Sequence, residues 1–235
     1  GYLINWYLGE MRALLAIFIL VKIGNWYKRQ LALAARRPAV AADTTGPGLS
    51  KRKIRNALII LGVLVFSKYF YIACMTNYFT FFLMDKFAFS VQDAQYSLFA
   101  FLAASAAGTV IGGPLGDRIG RKYVIWGSIL GAAPFALMLP YAGSGSAVAL
   151  AILVGLIISS AFSAIVVYAT DLMPGRVGMI AGLFFGLMFG LGGLGSAFFG
   201  WLADRTSIEF IFRVSALLPL MGIITGFLPD VERKR

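Results

Sequence analysis

Six stretches of this chain are each long and apolar enough to cross a bilayer, a length of about 20 residues. They run over roughly 57–83, 96–116, 123–142, 147–170, 177–202 and 210–228. Lipid offers no hydrogen bonds, so each crossing has to satisfy its own backbone and folds as an α-helix. The expected fold class is therefore an all-α polytopic membrane protein. A weaker stretch, 2–24, is interrupted by Glu10 and Arg12; with it the expectation rises to about seven transmembrane helices. Composition agrees. The 235 residues are 60% hydrophobic and 13% charged, with mean hydropathy +0.83, whereas soluble domains carry about 25% charged residues.

What is absent narrows the chemistry. The chain has no histidine, which removes Ser-His-Asp and Cys-His catalysis, His-ligated zinc and the usual near-neutral proton shuttle. Its single cysteine, Cys74, lies inside an apolar stretch, so it reads as a packing residue and forms no intrachain disulfide. The expectation is a protein that is not an enzyme and needs no metal or cofactor. The net charge of +11 raises nucleic acid as a partner, but the cations sit in the breaks between apolar stretches, as the positive-inside rule requires. Nucleic acid is therefore not expected.

Those cations also orient the chain. The break before residue 57 carries Lys28, Arg29, Arg36, Arg37, Lys51, Arg52, Lys53 and Arg55 against Asp43. Placed in the cytoplasm, it brings Arg118, Arg121, Lys122, Arg176 and the terminal Arg233, Lys234 and Arg235 to the same side. The other side receives Lys86, Arg205 and Arg213, balanced by Asp85, Asp93, Asp204 and Glu209. The resulting division is a transmembrane helix at 1–25, a basic cytoplasmic linker at 26–56, a six-helix bundle at 57–228 and a cytoplasmic tail at 229–235. Pro38 and the run Thr44-Thr45-Gly46-Pro47-Gly48 mark the linker as irregular. Topology setting is the favoured role of Lys51–Arg55, with contact to lipid headgroups as the alternative. No cleavable signal peptide is read from the opening residues.

Between the stretches at 96–116 and 123–142 lies Gly113-Pro114-Leu115-Gly116-Asp117-Arg118-Ile119-Gly120-Arg121-Lys122. It reads as a short polar hairpin. Gly116 and Gly120 permit a tight turn, Asp117 can pair with Arg118, Arg121 or a neighbouring helix end, and Arg121 and Lys122 hold the loop on the basic side. The pattern G-x-L-x-D-R-x-G-R-K resembles the loop signature of the major facilitator superfamily of transporters. In that family such a loop latches the two cytoplasmic ends. The resemblance therefore makes Gly113, Asp117, Arg118, Gly120, Arg121 and Lys122 a candidate gating loop, the alternative being a topology determinant with a good turn.

Longer stretches resemble a narrower group, the bacterial drug-efflux facilitators of the fosmidomycin resistance protein group. They are Phe66-Ser67-Lys68-Tyr69-Phe70-Tyr71, Gly112 through Ala136, Pro174-Gly175-Arg176-Val177-Gly178-Met179, and Gly200 through Phe210. The likeness runs from about residue 13 onward. It implies drug efflux by proton-coupled antiport in a bacterial inner membrane, with fosmidomycin or a similar small anionic antibiotic and protons as the transported species and the proton gradient as energy source. One helix, a basic linker and a six-helix bundle match the second half of a facilitator plus its preceding helix. A missing N-terminal half is therefore an expected partner, together with membrane lipid. The alternatives within transport are import of an organic anion or sugar and an inactive truncated fragment. A seven-helix receptor or retinal protein fits poorly, because the central lysine falls in the second stretch and no mid-membrane carboxylate is available as a counter-ion.

That lysine is Lys68, in the middle of 57–83. A central lysine costs roughly 2.5–3.5 kcal/mol on insertion scales, so its default reading is functional. Lys68, Tyr71, Met75 and Tyr78 share one helix face, and one cation with two phenols and a thioether would suit a small anion; fosmidomycin carries a phosphonate. The alternative is a structural lysine bonded to helix carbonyls or to an acid outside these stretches. None of the six stretches holds a mid-membrane Asp or Glu, so any proton-coupling acid is expected in the other half. Two glycine rows repeat at every fourth residue: Gly108, Gly112, Gly116 and Gly120, and Gly178, Gly182, Gly186 and Gly190. Such rows let helices approach backbone to backbone. Ser159, Ser163 and Thr170 could face a cavity or bond their own helix. Tyr78, Phe79, Phe81, Phe82 and Phe87 are expected to form an interfacial aromatic belt.

Overall fold

The computed structural model describes residues 21–24, 50–173 and 175–229. The chain divides into two units, Gly1–Thr44 and Thr45–Arg235. In the first, residues 21–24 are helical; the rest of the expected helix at 1–25, most of the linker and all but the first residue of the tail lie outside the described residues.

The second unit is helical throughout its described length. Its helices are α1 (Lys51–Phe87), α2 (Val91–Ile119), α3 (Arg121–Met138, prolonged by a 3-10 turn at Leu139–Tyr141), α4 (Ser144–Ser159), α5 (Ala161–Leu172), α6 (Val177–Arg205) and α7 (Ile208–Ser215). A 3-10 segment, Leu218–Phe227, completes the last crossing. All six expected crossings are present as elements long and apolar enough to span a membrane, α4 and α5 together making one and α7 with the 3-10 segment another.

The helix ends follow from local chemistry. Ser50 accepts a hydrogen bond from the Lys53 N–H at 3.4 Å and caps α1, so the helix starts at Lys51 and takes in Lys51–Arg55, a segment expected within the linker. At 37 residues and ~1.5 Å per residue, α1 is about 55 Å long, well beyond the ~30 Å hydrocarbon core. The polar hairpin is tighter than expected. Pro114 stays inside α2, and the turn is made by Gly120 alone, at φ 101°. Only glycine takes that conformation without strain. At the other end of the bundle Ser90 and Ser207 cap α2 and α7.

The crossing made by α4 and α5 is interrupted at Ser160. Its N–H reaches back to the Ile157 carbonyl at 3.2 Å and its hydroxyl to the same oxygen at 2.7 Å. Its hydroxyl also meets that of Ser128 on α3. Serine back-bonding of this kind loosens a helix.

Packing is dominated by α2 on α4, α1 on α6, and α3 on both α4 and the 3-10 segment. The core falls into two apolar clusters. One surrounds Tyr71, Met75, Phe79, Phe82, Phe101, Phe199 and Phe212; the other surrounds Leu61, Leu64, Val65, Ile125, Ile165, Phe184 and Met188. Along α1 the buried polar pair Ser67 and Lys68 falls between them.

The aromatic residues near the end of α1 are a correction. Phe79 and Phe82 are core residues, with Phe82 stacked on Phe212 at 4.3 Å between centroids. Of the other three, Phe81 is exposed, and Tyr78 and Phe87 are half-buried. The face that could have met the interface is covered by α7, a neighbour that helical spacing does not reveal.

Candidate functional site

Lys68 is buried to 1% exposure, and its ammonium has no hydrogen-bond partner among the described residues. The nearest groups of note are rings. Nζ lies 5.5 Å from the Tyr69 centroid and 5.8 Å from that of Phe162 on α5. Cation–π contact is worth about 0.5–2 kcal/mol, less than the penalty of roughly 2.5–3.5 kcal/mol for a central lysine. The adjacent Ser67 hydroxyl, which donates to the Leu218 carbonyl at 2.5 Å, does not bond it either. The arrangement is a buried amine for which no described residue serves as acceptor.

The other residues expected on this face are not gathered around it. Tyr71 and Met75 lie within the first apolar cluster. Tyr78 donates its hydroxyl to the Ser196 carbonyl on α6 at 2.8 Å. All four share a helical face, yet that face passes from the polar gap into the aromatic core as it rises past Tyr71. Tyr78 thus clamps α1 to α6, and Gly200 leaves room for it: a Cβ there would stand 2.6 Å from the phenol oxygen. Tyr78→Phe is expected to lower stability by about 1 kcal/mol, read as a lower thermal midpoint in detergent; an unchanged midpoint removes the clamp.

At the basic end the candidate loop is organised around Arg121. It pairs with Asp117 one turn back at 3.5 Å and, more closely, with Asp171 at the end of α5. Asp117 is largely exposed and Asp171 half-buried. Arg118, in the last turn of α2, is placed where the helix dipole favours a cation. Gly113 and Gly116 lie within α2, and Lys122 in the first turn of α3. Asp171 is the residue that sequence reasoning passed over, although its standing as the acid at the basic end of an apolar stretch was a usable signal.

The two glycine rows have different surroundings. A Cβ on Gly108 or Gly112 would overlap the carbonyl oxygens of Leu156 and Ser160, so α2 lies backbone-to-backbone on the α4–α5 crossing. Gly116 has ordinary clearance, 3.6 Å to Arg121 Cγ. Around Gly178, Gly182, Gly186 and Gly190 nothing among the described residues comes within 4 Å. That row packs on no described residue and opens away from the bundle. Of the three hydroxyls, Thr170 bonds the Val167 carbonyl at 2.8 Å, Ser159 is buried, and Ser163 has a buried oxygen without a partner among the described residues.

The opposite end is tied by Lys86, which donates to the Pro140 carbonyl and faces Glu209 at 3.5 Å, while Arg213 bonds Glu209 at 2.8 Å. A groove of about 590 Å³ lies nearby, lined by Phe81, Met84, Asp85, Ala203, Ser207 and Ile208. It contains none of the expected site residues.

A bundle of apolar crossings with a glycine turn and an arginine–aspartate network at one end, and a buried lysine at mid-depth, has the form of a membrane transporter domain. The family model of the Major Facilitator Superfamily matches residues 55–235, and the chain belongs to that superfamily. It is 55% identical over 224 residues to the fosmidomycin resistance protein of Escherichia coli (strain K12). It is 38% identical over 223 residues to the uncharacterized MFS-type transporter YfnC of Bacillus subtilis (strain 168). Each alignment takes in 95% of this chain and 54% of the relative, so the chain spans about half the length of the curated relatives it matches. No solved structure matches it.

Proposed function

We propose that this chain is the C-terminal portion of an efflux transporter that exports small anionic antibiotics, fosmidomycin among them, in exchange for protons across a bacterial inner membrane. The observation that carries the reading is the Lys68 ammonium, buried at mid-depth without an acceptor among the described residues. A phosphonate supplies the missing charge, and a charge-assisted hydrogen bond to it is worth about 1.5–3 kcal/mol. The 55% identity to a fosmidomycin resistance protein supports the substrate class.

The proton-binding carboxylate belongs to the other half in this reading, because Asp171 is engaged by Arg121 and Asp85 stands at the far end of α1. The upstream half seats on the faces that α2 and α6 leave uncovered, including the open glycine row of α6. The basic end, with Lys51–Arg55, Arg118, Arg121, Lys122 and Arg176, lies in the cytoplasm.

Drug susceptibility in an efflux-deficient bacterium tests the whole reading. A full-length transporter carrying this sequence is expected to confer fosmidomycin resistance, and the 235-residue chain alone is expected to confer none. Sensitivity with both, at good membrane levels, overturns the substrate.

In this reading Arg121 and its two carboxylates form the cytoplasmic latch. Asp171→Arg alone sets two cations together and is expected to reduce resistance about tenfold, the effect of ~1.4 kcal/mol. Adding Arg121→Asp restores the pair and most of the resistance. A double variant no better than the single one removes the latch.

A further inference from the structure

Nothing in the sequence distinguishes Phe162 from the other phenylalanines, yet its ring touches both Lys68 and a residue of the uncovered side of α6. Its centroid is 5.8 Å from the Lys68 ammonium. It also meets the Phe185 ring edge-on, with centroids 5.8 Å apart and planes at 62°. Phe185 is 38% exposed and Lys68 1% exposed. Contacts of Phe162 thus link a partly exposed residue of α6 to the buried lysine.

We propose that Phe162, braced on Phe185, is the gate over the Lys68 ammonium, covering the cation when no anion is bound and turning aside to admit one. The proposal rests on the reading of Lys68 as the anion anchor. Three features support it. The aromatic face offsets part of the burial penalty while the site is empty, a role that a cation–π contact can fill. No hydroxyl among the described residues bonds the ammonium, and those of Ser67 and Tyr78 are turned to the carbonyls of Leu218 and Ser196. Phe162 also sits in the first turn of α5, directly after the interruption at Ser160, where a small change of helix direction breaks no continuous ladder.

The test reads the accessibility of Lys68 directly, in a full-length transporter carrying this sequence. Acetylation of Lys68 by a small amine-reactive reagent is measured by peptide mass spectrometry, with and without fosmidomycin. Phe162→Ala is expected to raise Lys68 labelling several-fold, Phe162→Tyr to leave it near the wild-type level, and fosmidomycin to suppress it in all three proteins. Phe185→Ala is expected to give an intermediate rise and keeps the test decisive if Phe162→Ala does not fold. Equal labelling in all variants, with protection by fosmidomycin, overturns the gate and leaves the anchor standing. A rise in labelling without protection overturns the anchor and, with it, the gate, leaving Phe162 as a static cover of the lysine.

Discussion

Replacing Lys68 with methionine, in a full-length transporter carrying this sequence, is expected to abolish fosmidomycin resistance while membrane levels stay at or above normal. The direction on stability follows from burial. The ammonium is almost fully enclosed and lacks a hydrogen-bond partner among the described residues. Removing it relieves an insertion penalty of roughly 2.5–3.5 kcal/mol, and methionine fills irregular apolar space well. The direction on function is opposite, because the substrate loses the charge that meets it, about 1.5–3 kcal/mol, or some ten- to hundredfold in affinity. A lysine serving structure alone would give the reverse: lower protein levels with unchanged activity per molecule. Resistance measured beside a membrane immunoblot separates the two, and undiminished resistance rejects Lys68 as the anchor.

Gly112→Ala is expected to destabilise the bundle strongly, whereas the same change at Gly186 leaves its fold intact. A Cβ on Gly112 would run into the backbone carbonyl of Ser160, and its neighbour in the row, Gly108, stands in the same way against Leu156. Overpacking typically costs about 1–3 kcal/mol when side chains can adjust; here the obstacle is main chain, so the helices themselves must separate. Around Gly186 there is open space, and an added methyl meets nothing within the bundle. Thermal unfolding in detergent should therefore fall by many degrees for Gly112→Ala and by almost nothing for Gly186→Ala. Equal midpoints for the two variants would refute the close approach of α2 to the α4–α5 crossing. The bulkier Gly186→Leu addresses the upstream half: lost transport with a normal midpoint marks that row as its seat.

Much of the candidate site was legible in residue types, and much of its geometry was not. Lys68 was identifiable because a cation in the middle of an apolar stretch has few harmless explanations. Its companions were not, since shared helical spacing places Tyr71, Met75 and Tyr78 on one face without saying what that face touches. The core took the first two and the Ser196 carbonyl took the third. Asp117 and Arg121 stand four residues apart in one motif, so their pairing was legible. Asp171 is fifty residues from Arg121, and their pairing depends on where α5 ends beside α3.

By itself, the sequence determined the all-α class, the six crossings and the placing of a turn at the decapeptide. These are local consequences: lipid forces each apolar stretch to close its own hydrogen bonds, and a positive φ at Gly120 needs only glycine. The tertiary structure alone decided which glycine row carries the packing, that Ser160 meets Ser128, and that Phe162 is a ring facing Lys68. Each of those outcomes depends on contacts between segments far apart along the chain, where helical periodicity states which residues share a face but not which helix lies against it.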